Sequence, residues 1–153
     1  MSGYVDLHIH TTYSDGSFTP AEVVRRAAEA GLAAVAICDH DGVDGNAEAF
    51  AAGATYGVEV VTGVEISASF SPENVHMVGL FIDPTEQRLV DTLQEVREYR
   101  RRRNPKILAK LAELGMPVAM PEVEEVARGT TVGRPHIAEA VSYTHLTLPT
   151  IYS

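Results

Sequence analysis

The sequence predicts an α/β fold assembled from βαβ units around a parallel sheet or barrel. Three observations carry that prediction. Short apolar runs recur at 5–10, 33–38, 58–65 and 75–83. Segments with helix start and stop signals separate the first three of them. Histidine or a carboxylate enters at or near one end of each run.

Each element follows from local chemistry. Residues 5–10 (VDLHIH) form a strand whose polar residues gather at its C-terminal end. Thr19, Pro20 and Glu22 supply an N-cap, an N1 proline and an N3 acid, so a helix starts there and stops at Gly31. The run 33–38 (AAVAIC) is a buried second strand that ends in Asp39-His40-Asp41. A second helix covers about 43–56 and is closed by Gly57; Asp41 and Asp44 both precede it as candidate N-caps. Residues 58–65 (VEVVTGVE) and 75–83 (VHMVGLFID) are the third and fourth strands.

Beyond Asp83 the pattern becomes helical. Asp83, Pro84 and Glu86 open a long polar helix over about 85–103 that breaks at Asn104-Pro105. A further helix reaches Gly115, and a shorter one covers about 121–128. The expected organisation is therefore α/β body over 1–84, helical insertion over 85–130, and return to the body over 131–140 through the helix start at Gly133-Arg134-Pro135-His136. Residues 141–153 (VSYTHLTLPTIYS) carry no charge and shift abruptly to Thr, Leu, Tyr and Ser. They resemble one reading frame of a sequencing adapter, so they are expected to be a non-native tail that abandons this helix within two turns.

Composition narrows the function classes. The chain has 153 residues, 45% of them hydrophobic, which suffices for a core and excludes wholesale disorder. A net charge of −9 makes sequence-independent coating of nucleic acid a poor fit, and no stable DNA partner is expected. One cysteine, Cys38, excludes a disulfide framework. No apolar run is long enough for a membrane span and the N-terminus lacks signal-peptide character, so a cytoplasmic location is expected.

The six histidines say more. His8 and His10, two apart on a strand, point to the same side and can reach one ion, although an isolated pair of this kind is as often an ordinary polar rim. Asp15 sits in the following turn, where it is either an Asx-turn former or a ligand. Asp39 and Asp41 flank His40 and can orient its ring, join a coordination shell or cap the next helix. Glu65 ends an apolar strand, where an unpaired carboxylate is costly and a metal or a salt bridge offsets the cost. His76 lies within an apolar strand, the usual place of a satisfied core histidine. Arg134 and His136 open a helix, whose N-terminus favours anions. Together these groups exceed the four ligands of one structural zinc, and a cluster of two or three divalent ions fits better. Mixed imidazole and carboxylate donors suit Mn, Fe or Zn.

The succession DLHIHTTYSDGS, CDHDGV, GVEIS, VHMVGLFID and GRPHIA resembles the PHP (polymerase and histidinol phosphatase) superfamily. It looks most similar to the small bacterial phosphoesterase branch, the nucleoside 3′,5′-bisphosphate phosphatase and 5′–3′ exoribonuclease group. The resemblance implies a distorted (β/α)7 barrel with metals at the C-terminal rim of its strands. It implies that His8 and His10 bind one ion and that Glu65 bridges it to a second, held also by His76 and His136. Asp15 and His40 would bind a third, Arg134 would hold a substrate phosphate, and Asp39 and Asp41 would stand behind the ligands. Catalysis would run through Asp15, His40 and Glu65 by way of the metals, with a metal-bridged hydroxide attacking phosphorus in a nucleotide or short-RNA substrate.

The family pattern also implies a further histidine and an Asp-x-His pair downstream. His145, in the adapter-like tail, is not a substitute for them, and a chain without them is expected to hold only part of the site. Three alternatives stay open: a histidinol-phosphate-type phosphatase, a non-catalytic or polymerase-associated metal-binding module, and an inactive chain. The run Arg100–Arg103 is either an RNA-backbone contact or, more simply, a solvated helix end.

Overall fold

A computed structural model of the protein describes residues 3–70, 73–127 and 132–145. The chain divides into two compact units, 1–97 and 98–153.

In the first unit the strands β1 (Tyr4–Ile9), β2 (Leu32–Ile37), β3 (Glu59–Phe70) and β4 (Glu73–Leu80) form one sheet in the order β1-β2-β3-β4. The helix α1 (Pro20–Glu29) joins β1 to β2, and α2 (Asn46–Tyr56) joins β2 to β3. Both of those pairings are parallel, as βαβ logic requires. The predicted N-terminus of α1 forms as a capping box. The Glu22 N–H donates to the Thr19 hydroxyl, and the Thr19 N–H donates back to the Glu22 carboxylate. Gly31 and Gly57 both adopt positive φ where the first two helices end. The second helix starts three residues later than expected. Gly45 is its N-cap, and neither Asp41 nor Asp44 caps it. The buried Asn46 side chain instead bonds both the N–H and the carbonyl of Gly63, tying α2 to the middle of β3.

The last strand departs from expectation. β4 pairs with β3 antiparallel, so the sheet is mixed. Length decides this. The two predicted strands, 58–65 and 75–83, leave nine residues between them, and a parallel crossover needs about a dozen or more. The hairpin also lengthens β3 beyond Glu65 to Phe70.

Period-two alternation gives the sheet two faces. On one, Val35, Ile37, Val58 and Val60 pack with Val23, Val24 and Ala27 of α1 and Ala49 and Ala52 of α2, with Ile9 against the cluster. Each buried Val or Ile there contributes about 1.5–3 kcal/mol. The other face carries Ala36, Cys38 and Val61, with Leu80 packed on them. Since Ile9 turns to the helices, His8 and His10 turn to this second face.

The helix α3 (Gln87–Glu113) is continuous, with Pro105 inside it, where the sequence predicts a break. Its second half, in the 98–153 unit, is held by tertiary contacts. Leu108 is buried with Val118, Val123, Ile137 and Ala140, and the Asn104 amide donates to the Val132 carbonyl. Such packing outweighs the hydrogen bond lost at proline. The helices α4 (Met120–Ala127) and α5 (Arg134–His145) complete the described part of this unit. α5 runs through the first five residues of the predicted tail. Val141 packs against the core of the unit, and the Thr144 hydroxyl donates to the Ala140 carbonyl. The remainder of the tail, 146–153, lies outside the described residues. Among the described residues no helix is long and apolar enough to cross a membrane.

Candidate metal centre

Six of the sequence-predicted ligands come together in the first unit at one end of the sheet. β1 delivers His8 and His10. The extension of β2 delivers His40, which bridges β3 beside Glu65 through Glu65 N–H to the Asp39 carbonyl (3.1 Å) and Asp41 N–H to the Glu65 carbonyl (2.9 Å). Gly63 makes this close approach possible, because a Cβ there would sit 2.6 Å from Cys38 Sγ. β4 delivers His76, opposite Ser67 in the hairpin and therefore diagonal to Glu65.

Glu65, 7% exposed, is the hub. Its Oε2 lies 2.8 Å from His8 Nε2, 2.9 Å from His10 Nε2 and 3.8 Å from His40 Nδ1, while its Oε1 lies 2.7 Å from His76 Nδ1. Asp15 Oδ1 is 3.1 Å from His10 Nδ1, and its Oδ2 is 3.5 Å from His40 Nε2. The imidazoles of His8, His10, His40 and His76 stand in succession with ring centres 4.6–5.1 Å apart.

The electrostatics follow from this crowding. The His10 pKa is raised above its usual 6.5 by the hydrogen bond to Asp15, with burial opposing and the charges of Asp15, Glu65 and Asp39 assisting. Burial pushes the Glu65 carboxyl up, yet hydrogen bonds from His8 and His76 and the charges of His40 and His10 outweigh it and leave the pKa below the usual value. Cys38, buried at the floor of the same face, has its thiol pushed up to about 11 by burial, which makes it packing rather than a thiolate ligand.

The donor set fits divalent ions. Ligand atoms of His8, His10 and Glu65, of His10, Asp15 and His40, and of His40, Glu65 and His76 each lie within 4.8 Å of one another. Ligands about 2.0–2.2 Å from one ion lie up to roughly 4.4 Å apart, close to this spacing. His8 Nε2 and His10 Nε2 approach to 3.1 Å while both face the same carboxylate oxygen. Two ring nitrogens and an anionic oxygen converging in this way are best satisfied by a cation.

Asp39 and Asp41 are buried and reach backbone and hydroxyl groups. Asp41, at positive φ, accepts from the Ser67 N–H at 2.7 Å. Asp39 accepts from Thr11 and Ser14. The sequence does not expose the roles of Thr11, Asn46 and Gly63; the density of short polar residues in HTTYSDGS signals Thr11 alone.

Arg134 and His136 belong to the second unit, at the start of α5. His136 is buried and its Nδ1 accepts from the Gly133 N–H at 3.1 Å. Of the arginine run in α3, Arg100 is buried, whereas Arg101 and Arg102 are exposed and bond Glu98.

A mixed α/β sheet with imidazoles and carboxylates gathered at one end defines a class of folds that carry a candidate divalent-metal centre. Within that class the chain belongs to the PHP domain family, whose profile matches residues 6–147. It is 39% identical to a 5′-3′ exoribonuclease of Haemophilus influenzae over 138 residues, 90% of this chain and 50% of the relative. It is 45% identical to a 3′,5′-nucleoside bisphosphate phosphatase of Chromobacterium violaceum over 112 residues, 73% of this chain and 39% of the relative. Among solved structures, one from Bifidobacterium adolescentis, described as a metal-dependent phosphoesterase, superposes with a TM-score of 0.86 at 33% identity. That match covers 96% of this chain and 52% of the other. The chain thus spans half or less of the length of these two curated relatives. The mixed α/β architecture is that of part of a PHP barrel.

Proposed function

We propose that this chain carries the metal-binding face of a phosphoesterase that hydrolyses nucleotide phosphate esters, either a nucleoside 3′,5′-bisphosphate or the 5′ end of a short RNA. The observation that carries the reading is the convergence of four imidazoles on Glu65 and Asp15. The two relatives named for nucleotide and RNA substrates support the substrate class.

His8, His10 and Glu65 hold one ion, Glu65 and His76 a second, and Asp15 and His40 a third. Divalent ions there, Mn, Fe or Zn, supply Lewis acidity toward phosphoryl oxygens and a water made nucleophilic near neutral pH. Glu65 keeps its negative charge among His8, His10, His40 and His76 and fixes the spacing of two groups. Arg134, opening α5, offers a bidentate fork beside helix N–H groups and holds a substrate phosphate. His136 stands outside the proposed ligand set. Its Nδ1 is taken by the Gly133 N–H, a bond that supports the turn ahead of Arg134. Residues 85–130 serve as a helical insertion between the barrel segments 1–84 and 131–140.

The test is release of inorganic phosphate from a nucleoside 3′,5′-bisphosphate by a protein that contains this chain. Mn2+ binding to the present chain is measured in parallel. Release that stops with chelator and returns with Mn2+ is expected. Release that continues undiminished in chelator, or a chain that binds no divalent ion, overturns the proposal.

A further inference from the structure

The acids flanking His40 suggest, from sequence, a group that orients an imidazole. The geometry points elsewhere. We propose that Asp39 is a positioning residue that holds the turn 11–16 and thereby aims Asp15 at His10 and His40.

Asp39 is 1% exposed. Its Oδ1 accepts from the Thr11 N–H at 2.7 Å and from the Ser14 hydroxyl at 2.6 Å, and its Oδ2 accepts from the Thr11 hydroxyl at 2.7 Å. These partners lie on the segment that follows β1. The turn is wound around this carboxylate. The Thr11 carbonyl accepts from the Ser14 N–H (3.0 Å) and the Gly16 N–H (2.9 Å), and the Thr11 hydroxyl accepts from the Tyr13 N–H (3.2 Å). Gly16 closes the wrap where a Cβ would overlap the His10 carbonyl.

Asp15 is thus pinned between Ser14, tied to Asp39, and Gly16, tied to Thr11. That leaves its carboxylate 3.1 Å from His10 Nδ1 and 3.5 Å from His40 Nε2. The Asp39 carbonyl meanwhile accepts from Glu65 N–H. One residue therefore sets the turn through its side chain and the Glu65 strand through its backbone. Charge-assisted bonds sheltered from water are the strong ones; asparagine at position 39 removes the charge and turns an NH2 group on at least one of the three donors.

The consequence for metal affinity rests on the proposed function; the hold on the turn does not. The experiment is amide exchange by NMR, with Mn2+ titration alongside, on the whole 153-residue chain carrying Asp39→Asn, Asp15→Asn or both. In Asp39→Asn, exchange at Thr11, Tyr13, Ser14 and Gly16 is expected to rise at least about tenfold, with β2 and β3 unchanged. Affinity at the Asp15-dependent ion should fall about 10–100-fold, the range for groups that orient ligands. In the Asp15→Asn background, Asp39→Asn should add less than about twofold, since the ligand being positioned is gone.

Unchanged exchange in the turn overturns the proposal. So does acceleration spread evenly over the sheet, or an equal Mn2+ loss with and without Asp15. Should Asp39→Asn fail to fold, Ser14→Ala removes one donor and should give the same pattern at smaller amplitude; its absence overturns the proposal equally. If Asp15→Asn itself leaves Mn2+ binding unchanged, the metal reading fails, and the exchange result still decides what holds the turn.

Discussion

Replacing Glu65 by glutamine separates the roles of the metal groups. The side chain keeps its size, but one terminal oxygen becomes an NH2 that cannot accept. Whichever way the amide turns, either His76 at 2.7 Å or His8 and His10 at 2.8 and 2.9 Å lose their acceptor. A sheltered hydrogen bond to a charged group is worth about 1.5–3 kcal/mol. The His8 and His76 side chains are 48% and 41% exposed, so solvent reduces the cost to about 1 kcal/mol, roughly 2–4 °C in Tm for a chain of this length. Metal affinity should move further and unevenly. Glu65 belongs to two of the three candidate groups and is absent from that of His10, Asp15 and His40. Each of the two should weaken at least about 10–100-fold, or roughly 1.4–2.7 kcal/mol, while the third stays within about twofold. Mn2+ titration followed by calorimetry reads this as a drop in stoichiometry at fixed Mn2+, with a smaller metal-induced rise in Tm. Equal weakening of every ion, or an unchanged stoichiometry, would refute the reasoning.

Gly63→Ala should destabilise the metal-free chain by about 1–3 kcal/mol in urea, because the new Cβ meets Cys38 Sγ at 2.6 Å and the Ile37 carbonyl at 2.7 Å. Adding Cys38→Ala should recover only part of the loss, since the carbonyl stays in place; an unchanged midpoint for Gly63→Ala alone would contradict the contact. Thr19→Ala should cost about 1 kcal/mol through loss of the α1 cap, with Thr19→Ser far milder, both read by thermal melting. The metal-free chain should also show two opposed pH limbs. His10, raised above 6.5, contributes stability in full below 6.5 that is lost as pH climbs through its folded pKa. Glu65, lowered from 4.5, contributes above 4.5 and loses that contribution as pH falls through its folded pKa. Tm measured against pH with chelator present should show both limbs, and His10→Gln should flatten the upper one. Mn2+ affinity should rise with pH above 6.5, because the ion must displace the His10 proton.

Much of the site was legible because strand chemistry is local. Alternation alone puts His8 and His10 on one side, and the cap at Thr19 and the stop at Gly57 read directly from residue type. Three features were not. The antiparallel β4 followed from a spacing too short for a crossover, which apolar runs alone do not weigh. The continuity of α3 across Pro105 came from Leu108 and Asn104, whose partners, Val118, Val123 and Val132, lie well along the chain. The bonds of Asp39 depend on a turn that only forms once β1 and β2 are side by side. In each case a distant contact overrode or completed a local preference.

The hairpin also determines what kinds of change the centre tolerates. His76 reaches Glu65 only because Ser67 faces it and Val78 faces Glu65. Side chains on a strand alternate, so deleting one residue between the two strands would invert β4 and carry His76 to the opposite surface. Removing two would restore its side but move it by about 7 Å along the strand. The centre is therefore exposed to insertions and deletions in this hairpin through their parity and their count together, whatever residues they carry.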